Sequence, residues 1–235
     1  MAPLPASRGY AICTSPRSGS NFLCQHLSAS GVLGQPLEYF NWRGRRVFEN
    51  PAYPDDIPGQ VEQILSVGAT SNGIYAFKIF AHQHDWISGE ISWFDALPEL
   101  RLVLLTRRNV LAQAISWARA LQTGQYRASQ IAICEPVFDP DLIATQLRAI
   151  VVETARWELF FARTGIQPLR LIYEDFVDAP RSAVQAVASF MGVSLPRAES
   201  EEVGVTIRQQ RDYLNREWAE RFRTERGNCN TMDQL

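Results

Sequence analysis

Four short runs of apolar residues, each four to eight residues long, divide the chain and predict β-strands. The runs are nearly continuous and rich in β-branched, aliphatic and aromatic residues, which is typical of strands covered on both faces. We therefore expect a buried sheet built from YAIC at 10–13, GIYAFKIF at 73–80, LRLVLLT at 100–106 and LRLIYED at 169–175.

Between these runs, apolar residues recur at helical spacing and predict helices. The helical segments are SNFLCQHLSASG at 20–31, the stretch after Asn109, residues from about 140 to 163, and PRSAVQAVASFMG at 180–192. Asn is a residue type that caps helix N-termini, and Gly ends several of these segments. Strands that alternate with helices predict a single α/β domain with a doubly wound parallel sheet, whose ligands bind beyond the carboxyl ends of the strands.

Two regions fall outside this alternation. Residues 40–60 are dense in Pro, Gly, Asp and Asn and predict a long surface loop that would form a lid over a site. Near the end, IRQQRDYLNREWAERFR predicts a charged helix within 205–223, and the polar residues 224–235 predict a fraying tail.

The charge balance, with 23 basic and 25 acidic residues, argues against a nucleic acid or an anionic membrane surface as partner. No stretch approaches the roughly 20 apolar residues that span a bilayer, and the N-terminus lacks the apolar core of a signal peptide. We therefore expect a cytoplasmic protein that does not span a membrane. The four cysteines show no paired spacing and are expected to be buried free thiols.

The stretch TSPRSGSN, which joins the first strand to the first helix, predicts an anion-binding loop. A helix N-terminus presents unpaired N–H groups and a partial positive charge. Ser18, Gly19 and Ser20 would supply donors, and Arg17 would be the charged clamp. The ATP-binding pattern G-x-x-x-x-G-K-[ST] is absent, because the loop has one Gly and no Lys. A well-capped structural turn is the alternative interpretation.

A second basic cluster follows the third strand. Arg107 and Arg108 end that strand, and Ser116 lies eight residues after Arg108 on the next helix. An arginine pair is commonly just solvated surface charge. However, both clusters fall at the same edge of the predicted sheet, so together they indicate a ligand with two phosphate groups.

These motifs carry a resemblance to a known family. PRSGSNFL resembles the 5′-phosphosulfate loop of sulfotransferases that use 3′-phosphoadenosine 5′-phosphosulfate (PAPS), and RRNVLAQAIS resembles their 3′-phosphate motif. Over residues from about 8 to 223, the chain resembles bacterial carbohydrate sulfotransferases of the trehalose 2-sulfotransferase type, through GQPLEYFN, AFKIF, RNVLAQAISWARALQT and RQQRDYLNREWAERF. The resemblance implies a P-loop-like fold, PAPS as donor without a metal, a hydroxylated small-molecule or glycan acceptor, and a homodimer.

The resemblance also assigns the donor site. Arg108 and Ser116 would hold the 3′-phosphate, and Arg208 belongs to a block that closes over the nucleotide in related enzymes, together with Gln209 and Trp218. The family commonly has Thr at the last position of the loop. The residues that would hold the 5′-phosphosulfate are Arg17, which also has a catalytic role, and Ser18, Gly19, Ser20 and Asn21.

Glu38, in GQPLEYF, matches the acidic residue that is proposed as general base in these enzymes. His82 is the alternative base, because the broader sulfotransferase class often uses a histidine and His82 follows the second strand at the ligand edge. His82 and His84 also form an H-x-H pair, but no third metal ligand stands at an obvious spacing.

Lys78 is an ionisable residue within an apolar strand, where an unpartnered ammonium is costly. Its head either reaches solvent at the sheet edge or, as the resemblance implies, faces the phosphosulfate and stabilises the leaving group. Glu174 and Asp175 match a recurrent acidic pair of sulfotransferases, and we expect them to act as a structural cap.

The acceptor pocket is expected over Glu38, with Gln35, Tyr39, Phe40 and Trp42 around it. Aromatic faces with polar edges suit a sugar, although the same mixture occurs in loops packed on a core. Gln35 stands where the trehalose-type enzymes can carry an acid that touches the sugar, so another glycan, a glycolipid or a small alcohol stays open.

Two other functions were weighed against sulfuryl transfer. A P-loop kinase that acts on a small molecule would share the fold, but it needs a loop lysine and a magnesium-binding aspartate that the sequence does not supply at the expected places. A nucleotide-binding module would keep the arginines but have no turnover.

Overall fold

The computed structural model of the chain describes residues 4–126, 130–196 and 213–232. Its strands are β1 (Arg8–Thr14), β2 (Ile74–Phe80), β3 (Leu100–Thr106) and β4 (Leu169–Ile172). Its helices are α1 (Ser20–Ala29), α2 (Trp42–Phe48), α3 (Ile57–Ser66), α4 (Ala81–Ile87), α5 (Trp93–Ala96), α6 (Val110–Thr123), α7 (Pro140–Thr164), α8 (Tyr173–Phe176), α9 (Pro180–Met191) and α10 (Tyr213–Arg226).

The four strands form one parallel sheet in the order β2-β1-β3-β4. In the centre of the sheet, Ile12 of β1 lies between Lys78 of β2 and Val103 of β3. Because all the pairs are parallel, the carboxyl ends of the strands meet at one edge. The predicted parallel α/β sheet is confirmed.

Helices cover both faces of the sheet, as the continuous apolar runs predict. On one face, Ile12 packs with Leu23 of α1 and Val187 of α9. On the other face, Phe77 packs with Ile64 of α3 and Trp157 of α7. A third cluster joins α6, α7 and α10 around residues that include Ala114, Ile150 and Trp218.

The expectation of a long loop at 40–60 is wrong, since α2 and α3 occupy most of that range. Asn41 accepts a hydrogen bond from the N–H of Gly44, and Asp56 accepts one from the N–H of Gly59. Tyr53, between the two helices, is 2% exposed. The residue types that read as loop formers are here the N-terminal caps of helices.

Three smaller expectations also need correction. The fourth strand ends at Ile172, because the chain turns into α8 at Tyr173. Helix α10 continues to Arg226, so its end lies three residues past the predicted 223, and residues 205–212 are outside the described part of the chain. The four cysteines are free, but Cys134 and Cys229 are exposed. None of the helices in the described residues has the length and apolar character needed to cross a bilayer.

The packing of α7 on the sheet predicts a contrast between two neighbouring residues of that helix. Trp157 is 2% exposed and its indole N–H donates to the Thr14 carbonyl, whereas Leu159 is 67% exposed. We expect Trp157→Ala to lower the free energy of unfolding by about 3–5 kcal/mol and Leu159→Ala to change it by no more than about 0.5 kcal/mol. Urea unfolding measures both, and equal effects would contradict this packing.

Candidate active site

The site is built around the turn from β1 to α1. The Thr14 hydroxyl donates to the Leu105 carbonyl at 2.8 Å and lies 2.7 Å from Ser18 Oγ, which ties the loop to β3. Gly19 has φ of 89°, and a Cβ there would lie 2.2 Å from the Tyr173 ring. Since no side chain caps α1 at Gly19, the N–H groups of its first turn are open to an anion.

Two of the predicted loop donors turn out to have structural partners. The Ser18 hydroxyl lies 2.7 Å from the Thr14 hydroxyl and the residue is 0% exposed, so its side chain holds the loop in shape. The Ser20 hydroxyl accepts from Lys78 at 3.3 Å. The loop would therefore meet an anion mainly through backbone N–H groups.

Arg17 joins the two predicted anion clusters. Its Nε donates to Ser116 Oγ at 3.0 Å, and one of its terminal amino groups donates to the Tyr126 carbonyl at 2.5 Å. Burial lowers the pKa of Arg17, and the nearby charges of Arg107 and Arg119 lower it further. Such a concentration of positive charge favours an anion as ligand.

Two further residues hold this loop, and one of them, Gln113, was not singled out by the sequence. Gln113, on the buried side of α6, donates to Ser15 Oγ at 2.9 Å and to the Pro16 carbonyl at 2.7 Å. Arg107 donates to the Arg17 carbonyl at 3.3 Å. A polar residue on the apolar stripe of a helix next to the Arg pair is the signal that could have identified Gln113.

Arg108 lies at the same edge, with 57% of its side chain exposed, and pairs with Asp175 at 2.5 Å. Glu174 accepts hydrogen bonds from the backbone N–H groups of Arg108 and Asn109, as expected of a structural cap. Burial raises the pKa of Glu174, but these two hydrogen bonds, a third from its own N–H and the charge of Arg107 together hold it below its usual value. Glu174 thus fixes the backbone that presents Arg108.

Lys78 brings the candidate base to the phosphate loop. Its Nζ lies 2.7 Å from Glu38 Oε1 and donates to Asn21 Oδ1 at 2.6 Å. The side chain is only 3% exposed, so its head does not reach solvent. Leu37 accepts a hydrogen bond from the Lys78 N–H, which places Glu38 beside the carboxyl end of β2. Glu38, Lys78 and Asn21 therefore form one cluster at the first turn of α1.

Tyr39 and Phe40 do not line an open pocket, which corrects the expectation. Tyr39 is 0% exposed and donates its hydroxyl to the Gln35 carbonyl, while Phe40 is 3% exposed and packs on Phe77. Both rings face the core because the 35–39 segment runs along the edge of the sheet. Gln35 is partly buried, its N–H donates to the Gly68 carbonyl, and its own carbonyl accepts from the Tyr39 hydroxyl.

The two histidines after β2 have separate surroundings. His82 is exposed and its Nδ1 lies 3.0 Å from Glu153 Oε1. His84 stacks on Trp93 within an aromatic cluster, and burial lowers its pKa. The described residues contain no group of three His, Cys, Asp or Glu placed to hold a metal ion. The buried Glu153, on the apolar face of α7, is another residue that sequence analysis missed.

Part of the C-terminal block stays untested. Arg208 and Gln209 lie outside the described residues. Trp218 is 3% exposed and packs edge-to-face on Phe138 in the cluster between α6 and α10, so it is a core residue.

Known proteins resemble this chain over most of its length. The family model described as Stf0 sulphotransferase matches residues 9–225. A solved sulfotransferase domain, from the Synechococcus PCC 7002 olefin synthase, aligns with a TM-score of 0.46 and 16% identity, over 99% of this chain and 91% of that one.

Two curated relatives are similar over nearly their whole length. The chain is 24% identical to trehalose 2-sulfotransferase from Mycolicibacterium smegmatis, over 92% of this chain and 94% of the relative. It is also 24% identical to trehalose 2-sulfotransferase from Mycobacterium tuberculosis, over 94% of this chain and 96% of the relative. Because the family model covers most of its length, the chain belongs to the Stf0 sulphotransferase family and is a sulfotransferase enzyme.

Proposed function

We propose that this sulfotransferase moves a sulfuryl group from PAPS to a hydroxyl of a carbohydrate or glycolipid acceptor, with Glu38 as general base. The observation that carries the proposal is the cluster in which Lys78 contacts both Glu38 and Asn21. It brings a carboxylate and a buried ammonium to the helix N-terminus that would hold the donor's phosphosulfate.

The donor site is supported by charge and by the open helix end. The backbone N–H groups after Gly19 and the buried guanidinium of Arg17 would bind the 5′-phosphosulfate. Arg108 and Ser116 would bind the 3′-phosphate, and Arg17 already reaches Ser116. An anion in this site relieves the repulsion among Arg17, Arg107 and Arg119.

Asn21 stands where the family commonly has Thr, and its geometry supports a donor role. Its carbonyl oxygen accepts from Lys78, so its amide nitrogen is left for another partner. An amide N–H can donate to a phosphate or sulfate oxygen as a Thr hydroxyl does. The departure from Thr is therefore compatible with donor binding.

In the reaction, the acceptor oxygen bonds to sulfur while the bond from sulfur to the phosphate oxygen breaks, and the hydroxyl proton passes to Glu38. Once protonated, Glu38 no longer neutralises Lys78, whose Nζ lies 2.7 Å from its carboxylate. The full charge of the ammonium then acts on the negative charge that develops on the departing phosphate. One lysine would thus orient the base first and stabilise the leaving group afterwards.

A carbohydrate acceptor is supported by the relatives, which are named for trehalose. Gln35 and Glu38 would face the acceptor, whereas the buried rings of Tyr39 and Phe40 would act only as a support beneath it. The P-loop kinase alternative is not favoured by the family match. A binding module without turnover would show no kcat for the Glu38→Gln substitution to lower.

Ligand-dependent stability distinguishes the donor from ATP. We expect 3′-phosphoadenosine 5′-phosphate (PAP), at about 100 times its Kd, to add about 2.7 kcal/mol to the free energy of unfolding, because it binds only the folded chain. ATP with magnesium is the comparison ligand in the same thermal denaturation experiment. A shift with ATP and magnesium but none with PAP would contradict the proposed donor.

Glu38→Gln tests the base. The amide keeps the size of the side chain but cannot accept a proton, so we expect kcat to fall about 10²- to 10⁴-fold with PAP affinity preserved. Glu62→Gln is the matched control, because Glu62 is exposed on α3 away from the cluster. A Glu38→Gln enzyme with the kcat of the unaltered protein would show that another group takes the proton.

Arg108→Ala tests the 3′-phosphate site. Loss of a charged hydrogen-bond donor should weaken PAP binding by about 1.5–3 kcal/mol in calorimetry. Arg181→Ala, at an exposed arginine of α9, serves as the control for a simple change in net charge. If the two variants bind PAP equally well, Arg108 does not contact the nucleotide.

A further inference from the structure

With the rings of Tyr39 and Phe40 buried, the acceptor side of the site needs another wall. The carboxyl end of the edge strand β2 supplies one. Lys78 Nζ lies 5.8 Å from the centroid of the Phe80 ring, and that ring stacks on His82 with centroids 5.7 Å apart and planes at 21°. Side chains alternate along a strand, so Lys78 and Phe80 share a face. The Lys78 ammonium, the Phe80 ring and the His82 imidazole thus form a continuous row that leads away from Glu38.

This row begins at the phosphate loop, where Lys78 contacts Asn21, and continues on the side of that loop away from Arg108. The sheet order is β2-β1-β3-β4, with the phosphate loop after β1 and Arg108 after β3. A donor held by these two motifs extends from β1 towards β3. The space beside β2 is therefore left for the acceptor, next to Glu38.

His82 is held in one orientation by a buried carboxylate. Glu153 is 7% exposed. Its carboxylate accepts hydrogen bonds from the backbone N–H of Ala81 at 2.7 Å and of His82 at 3.2 Å, and it lies 3.0 Å from His82 Nδ1. Since a carboxylate oxygen only accepts, Nδ1 carries the hydrogen. Arg156 pairs with Glu153 at 3.4 Å and also with Asp85, which steadies the carboxylate from the far side.

The orientation leaves Nε2 for a ligand. The His82 side chain is 55% exposed, and no hydrogen bond of Nε2 is found within the described part of the chain. With Nδ1 protonated, Nε2 of a neutral imidazole accepts a hydrogen bond, and a sugar hydroxyl can donate one. An aromatic face beside a positioned polar group is a common way to orient a small ligand.

We propose that His82 binds a hydroxyl of the acceptor through Nε2, and that Glu153 is a positioning residue that fixes its ring. The Phe80 ring separates His82 from Lys78, so His82 contacts a second hydroxyl of the acceptor and not the one that receives the sulfuryl group. The inference rests on the proposed function, because it places the acceptor of that same reaction.

The test measures sulfation of trehalose, glucose and methyl glucoside with PAPS as donor, using whichever sugar the unaltered enzyme modifies. We expect His82→Ala to raise the acceptor KM about tenfold, the equivalent of one lost hydrogen bond of about 1.4 kcal/mol, with kcat and the KM for PAPS nearly unchanged. His82→Gln, whose amide can reach the place of Nε2, should recover part of the affinity. Glu90→Gln, exposed just beyond α4, is the control.

A second variant and a binding measurement separate orientation from folding. Glu153→Gln should raise the acceptor KM in the same direction while PAP still stabilises the protein. Calorimetry of the sugar with the PAP-bound protein should show weaker binding for His82→Ala, independently of turnover. A structural role alone would lower PAP stabilisation and leave the acceptor KM unchanged, which would overturn the inference.

The remaining outcomes are distinct. If the unaltered protein binds PAP but sulfates none of the sugars, the carbohydrate acceptor of the proposed function is wrong, and this inference fails with it. If it sulfates a sugar and His82→Ala changes neither constant, only the inference is wrong. A fall in kcat with a shifted pH profile and an unchanged KM would assign the base to His82 and overturn the positioning role.

Discussion

The site depends on the buried ammonium of Lys78. An ammonium without partners in a protein interior costs several kcal/mol, so its neighbours must supply acceptors. Here Glu38, Asn21 and Ser20 do so from two different parts of the chain. Since they converge on one atom, the candidate base and the first turn of α1 are fixed relative to β2. Removal of either partner would leave charge uncompensated rather than simply delete a contact.

A second constraint is the positive charge that collects at the loop. Arg17 is partly buried near Arg107 and Arg119, and its pKa is lowered by burial and by these like charges. Folding maintains this arrangement through neutral residues such as Gln113 and Thr14, which hold the loop by hydrogen bonds. The loop therefore favours an anion, and the energy that an anion recovers there would support binding of the proposed donor.

The groups proposed for the acceptor and for the donor stand at different strands for a topological reason. In a parallel sheet every crossover returns to the same edge, so loops distant in sequence collect beyond the carboxyl ends. β1 and β3 carry the anion motifs, while the edge strand β2 carries Lys78 and leads to His82. The proposed acceptor groups thus stand beside the donor groups without sharing a loop with them.

The sequence by itself determined the sheet, the long helices and the anion motifs, because these are local patterns. Continuous apolar runs marked β2 and β3, and Pro and Gly marked the ends of α9. The family resemblance placed Glu38 at the site. Local composition failed at 40–60, since Asn and Asp serve equally in loops and as helix caps.

Only the tertiary structure decided which side chains reach the site. Tyr39 has the aromatic face and polar edge expected of a pocket wall, but neighbours distant in sequence cover it. Glu153 lies 71 residues from His82, and no local pattern could pair them. Lys78 of β2 and Asn21 of α1, which are also in contact, lie 57 residues apart in the sequence. Burial and long-range hydrogen bonds depend on packing, which a linear pattern of residue types does not specify.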